Sequence, residues 1–194
     1  MLLDDFMPTW DVTIAEHTVV RADRATTFAV ARDLDFLHVR TPLVVAAMWV
    51  RGLPAKLTGK VEAVPPTLVL SEETMPGWVV LGERPEEEIA FGAAGVFWTP
   101  KIRWRAVTRA EFAEFAERGI GKIACNFSVR RYGESSTLLS YECRTATTDV
   151  DSRQRFSRYW RVIQPFVGHI MRATVRTIRD DAERQAGDTL TAVP

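Results

Sequence analysis

A chain of 194 residues, 46% of them hydrophobic, carries enough apolar surface for one well-buried core, and a single domain is expected. Lys and Arg together number 25, as do Asp and Glu, so no global field steers the chain to nucleic acid or to an anionic membrane. Cys125 and Cys143, the two cysteines, are too few for a disulfide framework or for a zinc site of paired CxxC motifs, and reduced thiols in the cytoplasm are expected.

In chain order, Met1-Leu2-Leu3-Asp4-Asp5 places acid where a secretory leader needs positive charge, and residues 1–9 read as an N-terminal extension. Val12, Ile14, Val19 and Val20 among Thr and charged residues predict a strand over Trp10 to Arg21. Asp23 is placed to cap a helix running through Phe28 and Val30 toward Leu34. Thr41-Pro42 opens a second helical candidate, Leu43 to Arg51, stopped by Gly52 and Pro54. Leu43 to Val50 is the longest apolar stretch and falls far short of the roughly 20 residues needed to span a bilayer, so no stable membrane insertion is expected. Short β-like runs follow at Thr67 to Glu73, Trp78 to Glu83, Glu88 to Trp98 and Lys101 to Val107, punctuated by Pro76-Gly77 and Pro100 as in an antiparallel meander. Ala110 to Arg118 has two readings, a helical turn through Phe112 and Phe115 or an irregular approach to a strand.

Two longer strands, about Ile120 to Arg131 and Thr137 to Thr147, flank Tyr132-Gly133-Glu134-Ser135-Ser136. Ile123, Cys125, Phe127 and Val129 are apolar at odd positions, as are Leu139, Tyr141 and Cys143, while even positions carry Lys122, Asn126, Ser128 and Arg130 on the first strand and Ser140, Glu142 and Arg144 on the second. For both apolar sets to share one face, paired residue numbers must have an even sum, because a one-residue slip turns one set to solvent. A hairpin centred near Glu134 then sets Cys125 opposite Cys143. The even-numbered Asn126, Glu142 and Arg144 fall on the other face, which is expected to be solvated.

From Asp151 to Arg184, Phe156, Tyr159, Trp160, Ile163, Val167, Ile170, Thr174 and Ile178 share one side of a long amphipathic helix, opposite Arg158, Arg161, Arg172, Arg176 and Arg179. Asp151 is expected to cap it, Pro165 to kink it and Gln185-Ala186-Gly187 to end it before a flexible tail, residues 186–194. Its arginines share the helix with four acidic residues, which favours a solvated face over a site for lipid headgroups or nucleic acid.

Specific text in this order resembles the START-like, or SRPBCC, helix-grip superfamily, in particular its uncharacterised and polyketide-cyclase-like bacterial members. The matching residues are Glu16-His17, Pro42-Leu43-Val44 through Arg51-Gly52-Leu53-Pro54, Cys125-Asn126-Phe127-Ser128-Val129, Glu142-Cys143-Arg144, and Arg158-Tyr159-Trp160-Arg161 with Pro165-Phe166. The resemblance implies an α+β helix-grip domain over residues 10–185: a curved antiparallel sheet of about six to seven strands, two short helices and a long C-terminal helix. It also implies a deep cavity between sheet and helix, which in different relatives holds lipids, sterols, polyketides or other hydrophobic small molecules. It carries no family-wide catalytic residue. Arg21 departs from the pattern, standing where an apolar strand residue is usual, so either face of the first strand remains eligible to turn inward.

Nucleotide-binding and hydrolase motifs are absent: there is no G-x-G-x-x-G, G-x-S-x-G, G-x-x-x-x-G-K-[ST] or H-E-x-x-H. His17, His38 and His169 lack partners at metal-ligand spacing, and neither metal nor cofactor is expected. The candidate ligand-binding residues are His17, Phe127, Tyr141, Trp160 and Ile163. His17 reads either as a polar group in the cavity or as a surface or satisfied strand histidine. The aromatic residues read as core or ligand contact, and Tyr141 needs a hydroxyl partner if buried. Cys125 and Cys143 read as buried, inert thiols rather than a redox pair. A hydrophobic ligand carrier or sensor is the leading reading, without nucleic acid as partner. A cyclase, aromatase or dehydratase using the same cavity, and a protein-interaction module, are the alternatives.

Overall fold

Alternation over Val12–Val20 forms strand β1, and every pairing among the described strands of its sheet is antiparallel. The computed structural model describes residues 1–39, 69, 75 and 77–191, with side chains to residue 188. The elements are α1 (Leu2–Phe6), β1, α2 (Arg24–Arg32), a 3-10 turn (Phe36–His38), β2 (Trp78–Arg84), β3 (Glu88–Val96), β4 (Arg103–Arg105), α3 (Arg109–Phe112), β5 (Gly121–Tyr132), β6 (Ser136–Thr147) and α4 (Val150–Thr191). The six described strands form one curved sheet in the order β1-β6-β5-β3-β2, with β4 also on β3, and the long α4 lies against it: an α+β, helix-grip arrangement. The candidate helix Leu43 to Arg51 lies outside the described residues, as does the candidate strand Thr67 to Glu73 apart from Val69.

Local chemistry accounts for most element ends. Asp23 caps α2, its side chain accepting from the Thr26 amide at 2.8 Å. The hairpin closes Tyr132 onto Ser136 around Gly133 at φ 68°, a conformation that favours glycine. Cys125 sits opposite Cys143, as parity and a turn centred near Glu134 predict, and the two thiols are unbonded. The run at Lys101 to Val107 shortens to three paired residues because the chain leaves the sheet for α3, where Thr108 and Glu111 form a capping box and Phe112 is buried.

Both ends of α4 differ from the sequence reading. Its cap is Asp149, whose side chain accepts from the Ser152 amide at 2.9 Å and whose carbonyl accepts from Arg153 at 3.0 Å; Asp151 is already in the first turn. Two Asp residues two apart offer equal local signals, and Asp149 wins because it also accepts from the Gly119 amide at 2.6 Å, thirty residues away. At the other end the helix continues through Gly187 to Thr191, since one glycine costs only about 1 kcal/mol in a helix. Ile170, expected on the buried side, is 40% exposed. At Gly168 a side chain would meet Ile14 Cδ1 at 3.2 Å, so the helix presses its Gly168–Met171 edge on β1 and rolls Ile170 outward.

The even-numbered face of β5 and β6 is not solvated. Leu2, Leu3 and Met7 of the N-terminal segment cover it, packing with Val79, Leu81, Ala90, Phe112 and Ala124. Asn126 and Arg144 beneath are 0% and 5% exposed. Asn126 donates to Glu88 Oε1 at 2.6 Å, and Glu88 Oε2 accepts the Leu2 amide at 2.9 Å. Arg144 donates to Glu142 Oε1 at 2.7 Å, to Asp4 Oδ1 at 2.8 Å and to the Met7 carbonyl at 3.1 Å, under the Trp10 ring. Alternation shows which residues share a face, but not that a distant segment will cover it.

The Asp149 cap has a pH signature. Hydrogen bonds from the Ser152 and Gly119 amides and the Ser152 hydroxyl pull its carboxyl from 3.8 down to about 2. A group with a depressed folded pKa stabilises the fold above its unfolded pKa and loses that contribution as pH falls through the folded one. Stability from this cap is therefore expected to disappear between about pH 4 and pH 2. Asp149→Asn keeps the cap acceptor but cannot titrate, so its urea midpoint should fall less steeply across that window; a slope equal to wild type would remove Asp149 from the acid response.

Candidate functional site

The odd positions of β5 and β6 and the even positions of β1 build the concave face in cross-strand rows. One row runs Ile14, Cys143, Cys125, Phe91, Val80; the next runs Glu16, Tyr141, Phe127, Ile89; on the other side lie Val12, Thr145, Ile123, Ala93, Trp78. Ile14 packs on the core and Glu16 accepts from Arg172 of α4 at 2.9 Å, which settles the inward face of β1 as its even one. His17 consequently points the other way. It is exposed, with Nδ1 bonded to Ser140 Oγ at 2.8 Å across the strand pair, apart from the other four candidates.

Phe127 and Tyr141 meet directly, ring centroids 4.5 Å apart. The Thr148 amide donates to the Ile120 carbonyl, so counting in twos makes Phe127/Tyr141 and Cys125/Cys143 non-hydrogen-bonded pairs, the closer kind. Phe91, Phe36 and Trp78 extend this aromatic wall. Burial, then the neighbouring Cys125 and Cys143, push the Tyr141 phenol well up; burial, then the hydrogen bond with Cys143, do the same to the Cys125 thiol. Both stay protonated near neutrality, the phenol as a hydrogen-bond donor and the thiol as a weak one, rather than as nucleophile or base.

Trp160 belongs to a second aromatic group with Phe97, Trp98, Phe156 and Tyr159, in which Phe156 is 1% exposed and 5.7 Å from both Phe97 and Trp160. Trp104 joins the two groups, 5.9 Å from Trp78 and 6.3 Å from Phe97.

Along α4, burial is uneven. Phe156 seats one end, and Gly168, Met171, Thr174, Val175, Ile178 and Ala182 are buried against β1, the sheet core and α2. Between these seats Tyr159, Trp160, Ile163 and Val167 are only half-buried over a bridge of roughly 16 Å. The concave sheet residues Ile14, Ile123, Cys143, Trp78 and Val80 are half-buried as well. An apolar sheet surface and an apolar helix side thus both keep part of their area uncovered by the described residues, while the end nearest Leu139, Val129 and α2 is sealed.

Four of the five candidates therefore lie on the inward side, Phe127 and Tyr141 on the sheet and Trp160 and Ile163 on α4. The sequence reading missed Ile14, Trp78, Phe91 and Phe97 as wall residues. Phe91 was recoverable: with Cys125 it makes an even sum, the parity that ties the hairpin strands together. A separate open groove of about 620 Å³ between α2 and the C-terminal part of α4 is lined by Val30, Leu34, His38, Thr177, Asp181 and Arg184 among others. Among the described residues no His, Cys, Asp or Glu group is arranged to hold a metal ion, and no helix is long and apolar enough to cross a membrane.

No protein-family model matches this chain, and no curated protein matches it. Solved structures match at low similarity. A Deinococcus radiodurans protein is 13% identical, with 90% of this chain and 99% of that one covered and a TM-score of 0.39. A Thermus thermophilus protein is 9% identical, with 92% and 99% covered and a TM-score of 0.31. The Zhui aromatase/cyclase from Streptomyces sp. R1128 is 12% identical, with 86% and 93% covered and a TM-score of 0.30.

Proposed function

We propose that the protein binds a hydrophobic small molecule, a lipid or polyketide, between the concave sheet face and the bridging stretch of α4, as a cytoplasmic carrier or sensor. The observation behind this reading is the helix seated at both ends and half-buried between them, opposite half-buried Ile14, Ile123, Cys143 and Trp78. Uncovered apolar area on two facing elements is stabilised by an apolar occupant, at roughly 25 cal/mol per Å² removed from water. Tyr141, Trp160 and Ile163 are the proposed contacts, with the Tyr141 hydroxyl as polar anchor, while Phe127, also a candidate from the sequence, is 0% exposed and backs the Tyr141 ring from 4.5 Å away.

Native mass spectrometry of freshly purified protein is expected to show a retained apolar ligand. Emodin, an oxygen-bearing aromatic, and pyrene, a hydrocarbon, should each raise the melting temperature with concentration, by mass action. Tyr141→Phe should weaken emodin about fivefold and leave pyrene unchanged, the loss of one hydrogen bond. Equal emodin affinity in the variant would remove the anchor. An empty protein with no thermal response to either probe would overturn the reading.

A further inference from the structure

From Ser152 to Arg179 the C-terminal helix carries seven arginines and no acidic residue. Its five acids, Asp151, Asp180, Asp181, Glu183 and Asp188, all lie outside that stretch, so a neutral chain conceals strongly segregated charge. Arg153, Arg172 and Arg179 are tied to Asp11, Glu16 and Asp180. Arg155, Arg158, Arg161 and Arg176 are exposed and make no ion pair among the described residues.

An apolar ladder runs beside these guanidinium groups. Val162, Phe166 and Ile170 are 71%, 39% and 40% exposed, and their four-residue spacing sets them one above another, continuing from Arg158. A scattered exposed apolar residue is ordinary, whereas three in register within an acid-free arginine field form a patch.

We propose that this outer face of α4 docks the protein on an anionic membrane surface. Apolar side chains at this spacing enter the acyl boundary while the surrounding arginines engage lipid phosphates, the chemistry of a helix lying in the interface plane. Charge complementarity selects the anionic surface, and the ladder distinguishes it from nucleic acid, whose phosphate backbone offers nothing to Val162 or Phe166. The inner side of the same stretch, Tyr159 to Val167, borders the proposed ligand site. The docking residues are exposed on the outer side and stand free whether or not a ligand is bound within.

Flotation of the full chain with phosphatidylcholine vesicles, with and without phosphatidylglycerol, tests this. Wild type should float with the anionic vesicles, stay behind with the neutral ones, and be released as NaCl rises to about 0.5 M, where screening shortens to a few ångströms. Combined Val162→Asp and Phe166→Asp, and separately combined Arg155→Glu, Arg158→Glu and Arg161→Glu, should each reduce flotation at least tenfold with unchanged urea midpoints. Val162→Ser with Phe166→Ser serves if the aspartates perturb folding. Equal flotation on neutral vesicles, no flotation on either, or full anionic binding by a folded apolar-ladder variant overturns the proposal; the last would mark plain charge adhesion, as to a nucleic acid.

Discussion

Arg144→Ala is expected to destabilise the protein by about 3 kcal/mol, the scale of a broken buried charge network. The guanidinium is 6% exposed and makes three hydrogen bonds. These bonds differ in worth. Asp4 is 54% exposed, so screening leaves that pair contributing little. Most of the loss comes from the Met7 carbonyl and Glu142, which lose their donor inside a partly dry site, and from the Trp10 ring stacked 4.0 Å from the guanidinium carbon. Arg144→Lys keeps the charge but not the planar fork that reaches all three acceptors, and should lose about half as much. Urea unfolding gives both values, and limited proteolysis should show residues 1–10 released first in the alanine variant. A midpoint shift no larger than that of an ordinary surface substitution would mean that Leu2, Leu3 and Met7 hold the segment by apolar contact alone.

Phe156→Ala is expected to cost about 3–5 kcal/mol, the range for emptying a buried aromatic site. Its ring touches four others, Phe97, Trp98, Tyr159 and Trp160, and forms the seat at the N-terminal end of the α4 bridge. Phe156→Leu retains most of the apolar volume and should cost about 1.5 kcal/mol. Trp98 and Trp160 stand beside the site, so tryptophan emission should shift to the red in the alanine variant as water enters, and less in the leucine one. An unshifted spectrum with a near-wild-type midpoint would show that the helix is held at its other seat only, and would remove one wall of the proposed ligand site.

What the sequence determined by itself was periodic and local. Parity along β5 and β6, with a turn centred near Glu134, set the register that pairs Cys125 with Cys143, helical spacing from Phe156 to Ile178 marked one long helix, and Asp23 marked a cap. Each signal repeats over many residues or is complete within four, so chain neighbours suffice to read it. The tertiary structure alone decided matters resting on contacts between distant residues. Asp149 prevailed over Asp151 as cap through Gly119; α1 turned the even face of β5 and β6 into a second core; Ile14 and Glu16 took the inward side of β1 and left His17 outside. Four candidate contacts reached the inward side because strand alternation and the helical stripe both point apolar residues there. How far α4 stands from the sheet between Phe156 and Gly168 follows instead from where each end is seated, and no pattern within the helix encodes a distance to another element.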